Sequence, residues 1–321
     1  MQNTDEPDRL LDVTDLSVSA PSRDRRRELV SGISFGVRRQ EVLIVLGESG
    51  SGKTILSRAL TRLFPVSSAL TIEGSVRFEG HQLLDLSEAA LAPIRRHRIR
   101  YVFQEPMQSL NPLARIIQQM RLASDNSSEH DALLHTTLKR VGLEHSDEVL
   151  NLFPHELSIG MAQRVCIAMA VLPSPSLLVA DEPTSAVDAS LRRRILDLLI
   201  SIQQSSTMSL ILITHDLDVA RSYGERIIVM YEGRLVESAG QRAFFDAPFH
   251  PYSRMLVNAQ QKNHTLAPPS GPAPGSAIIE RPRQGCSFSP RCPRAEEKCK
   301  AVDPHMEQLP GGREVRCFFW R

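Results

Sequence analysis

VLIVLGESGSGKTILSRALTRLF, residues 42–64, decides the fold. Its first five residues are all apolar and β-prone, which predicts a short strand buried on both faces. GESGSGKT (47–54) fits the pattern G-x-x-x-x-G-K-[ST], and it stands where that pattern has to stand, between such a strand and a helix. Gly47, Gly50 and Gly52 let the backbone curl until its N–H groups point inward at phosphate oxygens. Glu48, Ser49 and Ser51 complete that cradle, and the helix N-terminus adds partial positive charge. Lys53 is placed to reach β- and γ-phosphates, and the Thr54 hydroxyl to ligand Mg²⁺. A glycine-rich turn with a chance lysine is the plainer alternative, and the flanking strand and helix argue against it.

Further buried strands follow. LLVADE (177–182) delivers two acids at its carboxyl end. Asp181 is expected on Mg²⁺ and Glu182 on the attacking water. SLILITHD (209–216) places His215 similarly, as a γ-phosphate contact, after the helix ASLRRRILDLLISIQQ. Gln104, in YVFQEP, offers an amide to Mg²⁺ or to water. Strand–helix alternation of this kind makes the class α/β. Upstream, LLDVTDLSV (10–18) alternates as a half-buried strand, and SRDRRR (22–27) reads as a solvated basic turn. Residues from about 105 to 165 read as helical. RIIVMYEGRLVESA (226–239) reads as a hairpin around Glu232-Gly233. From these shifts we expect a main domain over 1–260, a Pro/Gly-rich linker over 261–284, and a cysteine-rich extension over 285–321.

Of 321 residues, 41% are hydrophobic and 23% charged, and the net charge of +1 points to neither nucleic acid nor an anionic surface. The polar N-terminus MQNTDEPDRL does not resemble a signal peptide, and every apolar run is too short to span a bilayer. Four of the five cysteines, Cys286, Cys292, Cys299 and Cys317, fall near the C-terminus. Such clustering without a secretion signal suggests metal ligation before disulfides, and four thiolates suit either tetrahedral Zn²⁺ or an iron–sulfur cluster. Cys166, in VCIAMAV, reads as a packing residue.

Taken together, the motifs resemble an ATP-binding cassette (ABC) ATPase. Walker A lies at 47–54, the Q-loop at Gln104, the signature loop at 157–161, Walker B at 177–182, the D-loop SAVD at 185–188, and the switch histidine at 215. FQEPMQSLNP (103–112), HPYSRML (250–256) and CSFSPRCPRAEEKC (286–299) narrow the resemblance to the oligopeptide/dipeptide importer ATPases, a branch that includes nickel uptake systems. The resemblance implies a RecA-like P-loop core with an antiparallel β subdomain and an inserted helical subdomain. It implies ATP and Mg²⁺ as ligands, held between Walker A of one cassette and the signature loop of another. It also implies two integral-membrane permease subunits, an extracytoplasmic solute-binding protein, and a peripheral position on the cytoplasmic face of the cell membrane. A [4Fe–4S] cluster on the four cysteines is implied over Zn²⁺, because some members of the branch carry one.

The sequence departs from the family at LSIGM (157–161), where the usual core is Leu-Ser-Gly-Gly. Ser158 and Gly160 remain to contact the opposite γ-phosphate, but Ile159 puts a β-branched side chain where close approach or a positive φ is expected. Ala162 replaces a basic or amide residue, and Ala20 stands where an aromatic commonly stacks on adenine. These departures predict a heterodimer with a second, different cassette and two unequal ATP sites. The competing readings are a soluble cassette protein acting on ribosomes or DNA, a regulatory subunit that holds ATP without turnover, and an importer subunit for nickel or another solute.

Overall fold

The computed structural model describes residues 9–21, 26–124, 131–185, 187–262 and 285–321. Alternating burial near the N-terminus gives β1 (Arg9–Ala20) and β2 (Arg27–Arg38). The apolar run follows as β3 (Val42–Leu46), buried throughout, and leads through the glycine loop into α1 (Lys53–Ala59). Next come β4 (Thr71–Phe78), β5 (His81–Gln82), α2 (Glu88–Pro93) and β6 (Ile99–Val102). A helical stretch then holds α3 (Pro106–Ser109), α4 (Ile116–Ala123), α5 (Asp131–Arg140), α6 (Ser146–Asn151) and α7 (Ile159–Val171). The chain returns to strand–helix alternation with β7 (Leu177–Asp181), α8 (Ala189–Gln204), β8 (Ser209–Thr214) and α9 (Leu217–Tyr223). It continues through β9 (Arg226–Tyr231), β10 (Arg234–Gly240), α10 (Gln241–Asp246) and α11 (Pro251–Lys262). The last elements are α12 (Glu297–Ala301), β11 (Glu307–Leu309) and β12 (Arg313–Val315).

The strands form two sheets. An antiparallel sheet runs β2-β1-β4-β5, and a larger one runs β11-β12-β10-β9-β3-β8-β7-β6. In the larger sheet β9, β3, β8, β7 and β6 are mutually parallel neighbours. Because side chains alternate across a strand, β3 feeds two cores. Leu43 and Val45 pack with β1, β2 and α1, while Val42, Ile44 and Leu46 pack with α7, α8 and the helical stretch. The same two-sided burial runs the whole length of β3, β7 and β8, which is why β3 is wholly apolar and β7 and β8 are polar only at their ends. At the β9–β10 turn Glu232 and Gly233 both have positive φ, 45° and 76°, the type I′ geometry that the Glu-Gly pair suggests.

The C-terminal segment is less separate than its sequence implies. β12 pairs antiparallel with β10 through Glu237↔Val315 and Ser238↔Glu314, so the β11–β12 hairpin extends the main sheet. Beneath it, the fully buried Glu237 carboxylate accepts from the Phe249 and His250 N–H groups at 2.9 and 2.8 Å. It also accepts from Arg313 at 3.1 Å, so the buried charge is compensated on several sides. The expected linker begins inside α11, which runs to Lys262; residues 263–284 of it lie outside the described residues, as do 22–25 of the basic turn and Ala186 of the D-loop. Among the described residues no helix is long and apolar enough to cross a membrane.

Candidate functional site

Parallel strands bring their carboxyl ends to one edge of a sheet, and the loops that follow meet there. Leu46 is in register with Thr214, Asp181 with Ile213, and Val102 with Ala180. The glycine loop, His215, the Asp181-Glu182 pair and the loop carrying Gln104 therefore all leave the sheet at that edge.

Within the loop, backbone proximity fixes the first glycine. A β-carbon on Gly47 would lie 2.4 Å from the Met230 carbonyl oxygen and 2.7 Å from Ser51 Oγ. Gly52 caps α1 at a φ of 100°, a conformation that L side chains rarely adopt. Lys53 is buried, and its Nζ donates to the carbonyls of Gly47 at 2.8 Å and Glu48 at 2.9 Å. Burial pushes this ammonium below the usual lysine range, while Glu182, Asp181 and Glu48 pull it back up. Glu182 Oε1 lies 3.8 Å from Lys53 Nζ, and its Oε2 lies 3.2 Å from His215 Nδ1. Glu182 has a φ of 45°, a strained value for a residue other than glycine, and its N–H is anchored on the Ile213 carbonyl at 3.0 Å.

Asp181 is buried, and burial raises its carboxyl above the ordinary range although the Thr54 hydroxyl donates to it. Its Oδ1 and the Ser51 hydroxyl oxygen are buried with no hydrogen-bond partner. Buried polar atoms are rarely left so. A carboxylate oxygen unpaired beside a threonine hydroxyl is a donor set that suits a divalent cation. Gln104, Thr54, Arg58, Phe103 and Asp181 line one open cleft of about 550 Å³. Lys53, Glu182 and His215 are thus linked at the sheet edge where Thr54, Asp181 and Gln104 line the neighbouring cleft.

The geometry agrees with comparisons to known proteins. Residues 30–185 match the family described as "ABC transporter", and residues 236–299 match "Oligopeptide/dipeptide transporter, C-terminal region". The dipeptide transport ATP-binding protein DppD of Escherichia coli is 37% identical over 319 residues, covering 97% of this chain and 96% of that protein. The oligopeptide transport ATP-binding protein OppD of the same organism is also 37% identical, over 97% of this chain and 93% of its own length. The chain belongs to this ABC ATPase family. Among solved structures, the dimeric cassette MJ0796 bound to ADP and phosphate has a TM-score of 0.64 at 27% identity, covering 72% of this chain and 99% of that one.

Ser158 caps α7, its Oγ accepting from the Met161 N–H at 3.2 Å, and Ile159 is the first helical residue, with half of its surface exposed. The expectation that this position needs a positive φ is not met: Ile159 is not among the residues of positive φ, and a β-branched residue starts the helix without backbone strain. A β-carbon on Gly160 would come within 2.6 Å of Leu191 Cδ2, so it would be admitted only if the end of that side chain on α8 moved aside. Among the described residues no hydrogen bond links Ser158 or Gly160 to residues 47–54 of the same chain. Ala20 is the half-buried last residue of β1.

Cys286, Cys292, Cys299 and Cys317 line one cavity of about 20 Å³, walled by Phe288, Phe318 and Phe319. All four are free, and burial pushes Cys286 up to about 11 and raises Cys292 and Cys317 as well. The ligand set expected here is not formed: among the described residues no group of three or more His, Cys, Asp or Glu is arranged to hold a metal ion. The aromatic wall favours the neutral thiol over the thiolate that a metal requires. Cys166 packs as expected, its sulfur donating to the Pro106 carbonyl at 3.5 Å, and burial raises it to about 12.

Two contacts were not legible in the sequence. The Glu48 N–H donates to Tyr252 Oη at 3.0 Å, and its carboxylate takes two hydrogen bonds from Arg291, at 2.9 and 3.1 Å. HPYSRML and SPRC carry these two partners, but spacing gives no sign that they meet residue 48.

Proposed function

We propose that this chain is the ATP-hydrolysing subunit of an ABC importer for dipeptides or oligopeptides, peripheral to the cytoplasmic face of the membrane. The observation that carries the hydrolytic reading is the linkage of Lys53, Glu182 and His215 beside a buried, unpaired Asp181 oxygen. In this reading the loop N–H groups and Lys53 hold the β- and γ-phosphates, Lys53 leaving the Gly47 and Glu48 carbonyls for phosphate oxygens. Thr54, Asp181 and Gln104 would hold Mg²⁺, which supplies neutralising charge to the phosphates when bound. Glu182 accepts a proton from water, and His215 keeps the carboxylate oriented. The peptide specificity rests on full-length similarity to DppD and OppD.

Ser158 and Gly160 serve a nucleotide held by a second cassette, and the absence, among the described residues, of hydrogen bonds from them to residues 47–54 is in keeping with that role. The exposed Ile159 side chain, where the family's signature loop has glycine, supports a different partner cassette and two unequal sites. The α3–α6 stretch is our assignment for permease docking, and an extracytoplasmic binding protein completes the importer. We keep 1–260, 261–284 and 285–321 as spans of the sequence, with α11 running on to Lys262 and the last span joined to the main sheet through β12. The four cysteines line one cavity without forming a metal ligand set, so neither an iron–sulfur cluster nor Zn²⁺ is part of this reading. Metal content and visible absorbance after anaerobic purification check this, and bound iron or zinc would overturn it.

The function is tested in the reconstituted transporter. Glu182→Gln should lower ATP turnover by at least ~100-fold while ATP still binds. If turnover survives that change and is abolished by the equivalent change in the partner cassette, the assignment of active and weak sites is reversed.

A further inference from the structure

Every polar group of Glu48 is engaged: besides the Ser51 N–H, which its carbonyl accepts at 3.2 Å, it has three side-chain partners, from the loop itself, from α11 and from the C-terminal segment. Its carbonyl accepts from Lys53 Nζ at 2.9 Å, its N–H donates to Tyr252 Oη at 3.0 Å, and its carboxylate takes the two Arg291 hydrogen bonds. One residue of the phosphate loop thus ties the phosphate-binding lysine to α11 and to the segment between Cys286 and Cys292.

Both outer partners are themselves fixed. Tyr252 is fully buried and lies 4.7 Å from Tyr231, ring centroid to ring centroid, and 5.5 Å from Phe288. Phe288 meets Tyr231 edge-on at 5.1 Å. The Arg291 guanidinium lies 5.7 Å from the Tyr231 ring centre and 6.0 Å from that of Phe288, so aromatic faces hold it on two sides. Its N–H closes a turn on the Phe288 carbonyl at 3.0 Å. Bidentate pairing with a carboxylate fixes direction as well as distance. The electrostatics point the same way. A bare carboxylate at residue 48 would repel the polyphosphate that the loop has to bind, and Arg291 neutralises it at its base.

We propose that Arg291, with Tyr252, is a positioning residue for the phosphate loop. It holds Glu48 so that the loop N–H groups and Lys53 are set for the nucleotide, and it cancels the loop's own negative charge. This inference rests on the reading of residues 47–54 as the ATP site. Neither residue touches the nucleotide in it; both act through Glu48.

The test is equilibrium binding of a fluorescent ATP analogue with Mg²⁺ to the full chain, in a double-mutant cycle. Arg291→Gln should weaken binding about three- to tenfold, the range for an oriented but half-exposed ion pair. Arg291→Lys should recover part of the loss, since charge survives without the two-pronged geometry. In the Glu48→Gln background, Arg291→Gln should weaken binding no further. Wild-type affinity in Arg291→Gln overturns the proposal, as do losses that multiply in the double variant. A lower melting temperature of nucleotide-free protein with unchanged affinity also overturns it, by making the pair merely structural. The wild type and Lys53→Ala separate the two readings: if the wild type binds no nucleotide, or Lys53→Ala binds as well as the wild type, the ATP-site reading has failed.

Discussion

Burial holds the His250 imidazole neutral, with Arg254 adding to the effect, and together they push its pKa from 6.5 to about 3. Its Nδ1 accepts from the Tyr252 N–H at 3.1 Å, a bond that a protonated ring could not accept. The unfolded chain therefore binds a proton between pH 6.5 and 3 that the folded chain refuses. The stability contribution is whole above pH 6.5 and declines as pH falls toward 3. Between pH 7 and pH 5 it should fall by ~2 kcal/mol, a loss that His250→Gln removes. Urea unfolding of both proteins at the two pH values checks this, and identical pH dependence refutes it. Single residues were unevenly legible. Lys53, Thr54, Asp181 and Glu182 could be read because each motif sets side-chain chemistry a fixed number of residues from a strand end. Ile159 was misread because a loop pattern does not reveal where the helix begins; once it starts at Ile159, the steric demand falls on Gly160 and on Leu191, thirty-one positions away.

Elements were legible in proportion to their length and apolar regularity. β3, β7 and β8 announce themselves because both faces are buried, and the β9–β10 turn because Glu-Gly accepts two positive φ values. β11 and β12 have three residues each, too few to show a period, and their attachment to β10 depends on pairing that composition cannot display. That attachment carries a testable load. Arg313 is nearly buried against the wholly buried Glu237 and also donates to the Ala247 carbonyl. Removing it leaves an uncompensated buried carboxylate, although the Phe249 and His250 N–H groups stay in place. Arg313→Ala should destabilise the chain by about 3–5 kcal/mol, whereas the double change with Glu237→Gln should restore much of that. Chemical denaturation of the three proteins measures it, and a loss below ~1 kcal/mol would show the carboxylate to be solvated after all.

For the molecule as a whole, the α/β order and the meeting of loops at one sheet edge followed from strand placement, and the identity of the family followed from motif order. What stayed hidden was long-range: which late residue supports which early one. Ligand linkage gives a global prediction. Mg–ATP at one hundred times its Kd should stabilise the folded chain by about 2.7 kcal/mol, seen as a higher melting temperature. Lys53→Ala should lose most of that rise, and an equal rise in the variant would detach the nucleotide from the loop. The Arg291–Glu48 pair also has a consequence in time, because its members lie 243 positions apart in the chain. On a ribosome adding ~5–20 residues per second, residue 48 is made roughly 12–50 seconds before the arginine that holds it. The phosphate loop of a nascent chain can fold with its strand and helix, but the brace proposed for it is made 243 residues later. If the proposal holds, full grip on nucleotide is a property that this polypeptide acquires only once residue 291 has been made and has found residue 48.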